Sequence, residues 1–154
     1  GVGLFRSLND INYSDGEWHH MLITYDSSRT NIYNRTAVRI DDVDIAHGAF
    51  SQNSTSITSS TADLNIGRRT GYGFYEWNGF LDEVAIWNKT LTPTEITEIY
   101  NSGTPTDLSS YNPNNWWRMG DDDTFPTITD NGSSGNNGTM ENMDSGDIVE
   151  DVPS

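Results

Sequence analysis

Four sets of residues in this chain have types that could do chemistry: the adjacent acids Asp82-Glu83, the pair His19-His20, two groups of aspartates, and one cluster of aromatics with arginines. Retaining hydrolysis of a glycoside needs two carboxyls roughly 5 Å apart across the scissile bond, best held on one face of a strand. Asp82 and Glu83 point to opposite faces of any strand that carries both. Asp82 is followed on its face by Val84 and Ile86, and Glu83 by Ala85 and Trp87, so neither has a second acid beside it. They fit better as residues that fix the adjoining loops. The same alternation separates His19 from His20, and His47 would join one of them only by an accident of the fold. Structural histidines are therefore expected in preference to a zinc site.

The aspartates suggest a hard cation. Calcium takes aspartate and backbone carbonyl oxygens at loop rims. Asp26, Asp41, Asp42 and Asp44 lie near expected strand ends, and Asp121, Asp122 and Asp123 with Asp130 form a second set. Neither set has EF-hand spacing, and acidic loops also occur merely solvated; Ca2+ is the one candidate cofactor. A sugar site would need an exposed aromatic platform beside planar polar side chains. Tyr72, Phe74, Tyr75 and Trp77, interleaved with Arg68, Arg69 and Asn78, form the best such set. The competing reading is that these rings close one end of a sandwich.

The elements that must position these groups are mostly strands. Alternation predicts strands over 18–25, 63–67 and 80–87, and a hairpin over 37–46 that bends at Asp41-Asp42. A single surface helix should follow the 80–87 strand. Thr92 can cap it, Pro93 fits its first turn, and Glu95 completes a capping box. Ile96, Ile99 and Tyr100 give it an apolar stripe, and Gly103 with Pro105 stops it.

These motifs together resemble laminin-G-like domains of the concanavalin A-like lectin/glucanase superfamily. The resemblance rests on Gly79, Leu81, Asp82, Glu83 and Val84, followed by Leu91, Thr92, Glu95, Ile96, Ile99 and Tyr100. It extends to Gly16, Trp18, His19, His20 and Asp26 in the 15–26 stretch, the 37–45 hairpin, and Leu64-Asn65-Ile66-Gly67. It implies an all-β jelly-roll sandwich of antiparallel sheets with one short helix after the last long strand. It also implies calcium at a rim in many members. Jelly-roll glucanases of the superfamily carry their acids as Glu-x-Asp-x-x-Glu on one strand, a pattern missing from the 80–87 strand.

Residues 1–103 would form this sandwich, without its first strands, and 104–115 a Pro/Ser/Asn linker. The tail, 116–154, resembles the start of a further copy. It opens with Trp116-Trp117-Arg118-Met119 and runs on through Asp130, Gly135-Asn136-Asn137 and Gly138-Thr139. It could fold back to complete this sandwich or dock on a neighbour. Some of its phrases also resemble the ends of marine bacteriophage structural proteins. The start at Gly1-Val2-Gly3, without Met, suggests a processed or trimmed piece.

With 154 residues the chain can build one real core. No cysteine is present, so disulfides and thiolate metal sites are excluded. A net charge of -15, with Lys89 the one lysine, disfavours nucleic acid as a partner, and no apolar run reaches membrane-spanning length. The expectation is a non-catalytic structural or adhesion module, extracellular or on a virion surface. It would contact other copies or other structural subunits and cell-surface glycans. The alternatives are a secreted carbohydrate-binding module attached to an enzyme, and a jelly-roll hydrolase or lyase.

Overall fold

The computed structural model describes residues 13, 15–29, 35–45, 61–69 and 75–149. Two compact units share the chain. The first takes 1–57, 87–113 and 151–154, and the second takes 58–86 and 114–150. Among the described residues the strands lie in four small antiparallel sheets, and a single α-helix accompanies them.

In the first unit β1 (Met21–Tyr25), β2 (Thr36–Ile40) and β3 (Val43–Asp44) form a three-stranded meander. Leu22 lies opposite Arg39 and Ile23 opposite Val38. The β2–β3 turn is built by Asp41 (φ 51°) and Asp42 (φ 61°). Two consecutive left-handed residues match the right-handed twist of a two-residue hairpin, and Asp is among the few side chains that accept that conformation. Buried Leu22, Val38 and Ile40 supply the strands' share of the core. The expected 18–25 strand begins only at Met21, because the His20 backbone N–H is taken by the Asp41 side chain at 2.9 Å.

The helix α1 (Pro93–Tyr100) has the expected ends. The Thr92 hydroxyl accepts from the Glu95 N–H at 3.2 Å, and the Glu95 carboxylate accepts from the Thr92 N–H at 2.7 Å. Pro93 occupies the first turn, where no intrahelical donor is needed. The stop comes earlier than Gly103: Asn101 takes the left-handed C-cap (φ 43°) and donates its backbone N–H to the Thr97 carbonyl. Leu91, Ile96, Ile99 and Leu108 are buried on this side of the unit. The Thr97 hydroxyl donates to Asp42 at 2.8 Å, and the His20 ring lies 5.7 Å from that of Tyr100, so hairpin and helix are tied by one polar and one ring contact.

The second unit holds β4 (Arg68–Arg69), β5 (Tyr75–Glu76), β6 (Val84–Ile86), β7 (Asn115–Trp117), β8 (Thr127–Ile128) and β9 (Gly138–Thr139). They pair as β4–β5, β6–β7 and β8–β9. The expected 63–67 strand is irregular chain instead. Leu64 is exposed, Asn65 bonds back to the Asp63 carbonyl at 3.2 Å, and pairing starts only at Arg68. The 80–87 strand is likewise shortened to Val84–Ile86, because Glu83 adopts a left-handed backbone (φ 50°) just before it. Strand β7 then pairs with β6 of the same chain, Val84 opposite Trp117 and Ile86 opposite Asn115. Among the described residues of this unit, Trp116, Trp117 and Met140 are buried and apolar.

Candidate functional site

The aromatic cluster is built on the β4–β5 hairpin. Arg68 stands directly across from Glu76, and the Trp77 N–H extends the pairing by donating to the Gly67 carbonyl at 2.7 Å. The Trp77 ring nevertheless points away from the core and is 59% exposed. It is not loose. Its indole N–H donates to the Phe80 carbonyl at 3.2 Å, and a Cβ at Gly79 would stand 3.1 Å from that indole nitrogen, so the bare glycine lets the ring lie down on the chain. An indole held at its polar edge with its apolar body in solvent is the arrangement that stacks on sugar C–H faces.

Asn78 and Arg68 are exposed on the same segment pair, which keeps them available as hydrogen-bonding groups. Of the other expected members, Arg69 and Tyr75 have described backbones in β4 and β5, while their side chains lie outside the described structure, as do Tyr72 and Phe74 entirely. Phe80 was not foreseen as part of this surface. It is 57% exposed, although alternation placed it on a strand face. The signal that could have found it is Gly79 immediately before it, which breaks a strand pattern.

The acids near β6 do a different job. The Glu83 carboxylate accepts the Trp116 indole N–H and, at 3.1 Å, the Arg118 Nε–H. Arg118 also donates to Asp121, and its guanidinium sits 5.7 Å from the centre of the Trp116 ring. Both Glu83 oxygens are therefore engaged, one by β7 and one by Arg118 just after it. Asp82 accepts from the Glu83 N–H at 2.9 Å, while its second oxygen is buried with no partner. Burial, reinforced by the neighbouring Glu83 charge, pushes the Asp82 carboxyl up to about 6.

Most of the aspartates expected at a cation site spend their oxygens on protein donors. Asp26 accepts from the Ser28 N–H and hydroxyl and from Arg29. Asp41 accepts from the His20 N–H and the His19 Nδ1–H, Asp42 from Arg39 and Thr97, and Asp44 from Arg39. Asp121 holds Arg118, and Asp123 accepts from the Thr129 N–H with one oxygen while the other is buried without a partner. Asp122 is exposed in a left-handed turn position. Asp130 is buried, and its carboxylate takes four donors: the N–H groups of Trp116, Gly132 and Asn136 and the side-chain amide of Asn115, all at 2.6–2.8 Å. Those bonds outweigh the cost of burial and hold its carboxyl below the usual range. Among the described residues, no three His, Asp or Glu side chains converge as a metal-holding group.

His19 and His20 diverge as alternation requires. His19 lies between Asp41 (Nδ1, 2.8 Å) and Asp15 (Nε2, 3.1 Å). Two carboxylate partners ask both ring nitrogens to donate, which only the imidazolium can do, and the hydrogen bond to Asp41 raises its pKa. His20 is turned inward toward Tyr100, its Nδ1 is buried without a partner, and burial lowers its pKa.

Comparison with known proteins agrees with this architecture. A laminin G family model, described as belonging to the concanavalin A-like lectin/glucanases superfamily, matches residues 4–97, a span that holds the Trp77 surface, the hairpin and most of α1. No curated protein and no solved structure gives a significant match. With more than half of its length matched and with antiparallel sheets and one short helix as the family pattern implies, the chain belongs to the laminin G-like family of the concanavalin A-like lectin/glucanases superfamily.

Proposed function

We propose that this chain is a non-catalytic adhesion module that takes carbohydrate on its Trp77 surface. The observation that carries the reading is the Trp77 ring, solvent-facing yet fixed by its bond to the Phe80 carbonyl and its seat on Gly79. A preset ring loses little freedom on binding, so its contact area turns into affinity with a smaller entropy loss. Arg68 and Asn78 supply donors for sugar hydroxyls, and membership of a lectin-containing superfamily supports a carbohydrate-binding or adhesion type of module.

The hydrolase alternative draws no support from the acids. Glu83 is occupied by Trp116 and Arg118, and Asp82 faces inward with one oxygen unpartnered. A place on an extracellular assembly or a virion is the expectation carried by the resemblance of the tail's sequence phrases alone. A glycan array comparing the native chain with Trp77→Ala tests the reading. Capture of at least one glycan, lost in the variant, is expected; an array with no captured glycan would leave the structural role alone.

A further inference from the structure

We propose that Asn78 is a site of spontaneous deamidation on the Trp77 surface, while the chain's two other Asn-Gly pairs are protected by the fold. The sequence has three such pairs, Asn78-Gly79, Asn131-Gly132 and Asn137-Gly138. In each the backbone nitrogen of the glycine can attack the asparagine side-chain carbonyl carbon. A C–N bond forms, the side-chain amide leaves as ammonia, and a succinimide results. Water then opens the ring at either carbonyl, giving aspartate or isoaspartate. Glycine favours the reaction because no Cβ shields its nitrogen and its backbone turns freely.

The structure separates the three. Gly132 donates its N–H to buried Asp130 at 2.8 Å, and Asn131 is held by bonds from its backbone N–H to the Trp116 carbonyl and from its side chain to the Thr129 carbonyl. The attacking nitrogen and the attacked amide are both committed. Gly132 also packs against the chain at Asn114 and Asn115, where a Cβ would come within 2.5–2.6 Å of backbone atoms, so the segment has no room to rotate. Asn137 gives its side-chain oxygen to the Asp130 N–H at 3.0 Å, and Gly138 is paired with Ile128 in the β8–β9 ladder. Reaction at either pair needs local opening of the segment around Asp130 first.

Asn78 and Gly79 lack the hydrogen bonds that hold the other two pairs, and what lies on Gly79 is the Trp77 side chain rather than backbone. Both are exposed, and among the described residues no hydrogen bond reaches the Asn78 side chain or the Gly79 N–H. The product would matter locally. Isoaspartate inserts a carbon into the main chain between Trp77 and Gly79, beneath the indole whose seat is Gly79, and either product adds a carboxylate next to the ring.

The test is peptide mapping by mass spectrometry after the native chain has aged in mildly alkaline buffer, with a urea-unfolded sample alongside. In urea all three pairs should convert at comparable rates. In the folded chain Asn78 should convert faster than Asn131 and Asn137 by at least about tenfold, the ratio that a modest local-opening free energy imposes. Asn78→Gln, whose longer side chain closes the ring poorly, should leave that peptide unchanged. Conversion of Asn131 or Asn137 at the rate of Asn78 in the folded chain would overturn the proposal, and so would an Asn78 as protected as they are. The readout is independent of whatever Trp77 binds.

Discussion

The Trp116 indole N–H donates to the carboxylate of Glu83, thirty-three positions earlier in the chain, and so fastens β7 to the residue just before β6. Arg118 reaches the same carboxylate from the next turn of chain. Glu83 is only 17% exposed at its side chain, so these bonds form where solvent competes weakly. Trp116→Phe keeps an aromatic ring but leaves one Glu83 oxygen without its donor, and should destabilise the chain by about 1–2 kcal/mol in urea denaturation. A double-mutant cycle of Glu83→Gln with Arg118→Ala should be non-additive, since both act on one bond. Additive losses would mean that the two side chains work separately.

Asp130 predicts a larger effect. Its four donors converge on both oxygens, three of them backbone N–H groups that no water replaces once the site is buried. Asp130→Asn puts an amide where two donors already point, and should cost about 2–3 kcal/mol. Gly132→Ala should also be severely destabilising, because a Cβ there meets the Asn114 carbonyl oxygen at 2.5 Å, and backbone cannot swing aside as a side-chain end can. Thermal melts of both variants check this; a melting point unchanged in Asp130→Asn would contradict the four-donor account.

The capping box gives a local prediction. Thr92→Ala removes the acceptor for the Glu95 N–H and should cost about 1 kcal/mol. The Glu95 carboxyl is held down to about 2, first by Lys89 and then by the Thr92 N–H. A depressed carboxylate contributes stability above its unfolded value and loses it as pH falls through the folded one. Acid titration of the helix by circular dichroism should therefore show that loss in the native chain and a smaller one in Lys89→Ala.

Asp82 has the opposite sign. Its folded value of about 6 lies above its unfolded value, so the folded state binds the proton more readily. Stability should fall as pH rises between the two values, and the full penalty stands at neutral pH. Asp82→Asn keeps an acceptor for the Glu83 N–H and removes that penalty, with a gain of about 1 kcal/mol near neutrality once partial exposure is allowed for. His19 contributes in the raised-base sense: its clamp between Asp15 and Asp41 is fully present below the ordinary histidine value and lost as pH rises through the folded value. His19→Gln should flatten the part of the stability–pH curve that falls there. A curve identical to that of the native chain would rule the clamp out.

The parts of this fold written within a few residues were legible in the sequence. Thr92, Pro93 and Glu95 announce a helix start because capping is satisfied inside one turn, and Asp41-Asp42 announces a hairpin because only two left-handed residues fit it. The parts that depend on distant partners were not. Nothing near Glu83 says that its carboxylate will meet Trp116 and Arg118, and nothing near Asp130 says that four N–H donors will surround it. An aspartate among glycines and asparagines looks the same from sequence whether its oxygens face a cation or a ring of amides. Asp63 to Gly67 differs for a simpler reason: alternation suggests a strand, but Leu64 is left exposed and the local Asn65 bond takes over.

Trp77 is the one large aromatic in the proposed site whose exposure and restraint are both seen among the described residues. Quantitative binding to the tightest glycan found on an array, measured for the native chain and for Trp77→Ala and Trp77→Phe, is the most direct test. Loss of one stacked ring should weaken binding by roughly tenfold or more in Trp77→Ala, with Trp77→Phe in between, since an aromatic pair is worth about 0.5–1.5 kcal/mol beyond its buried area. Equal affinity across the three proteins, with the fold intact, would contradict the account.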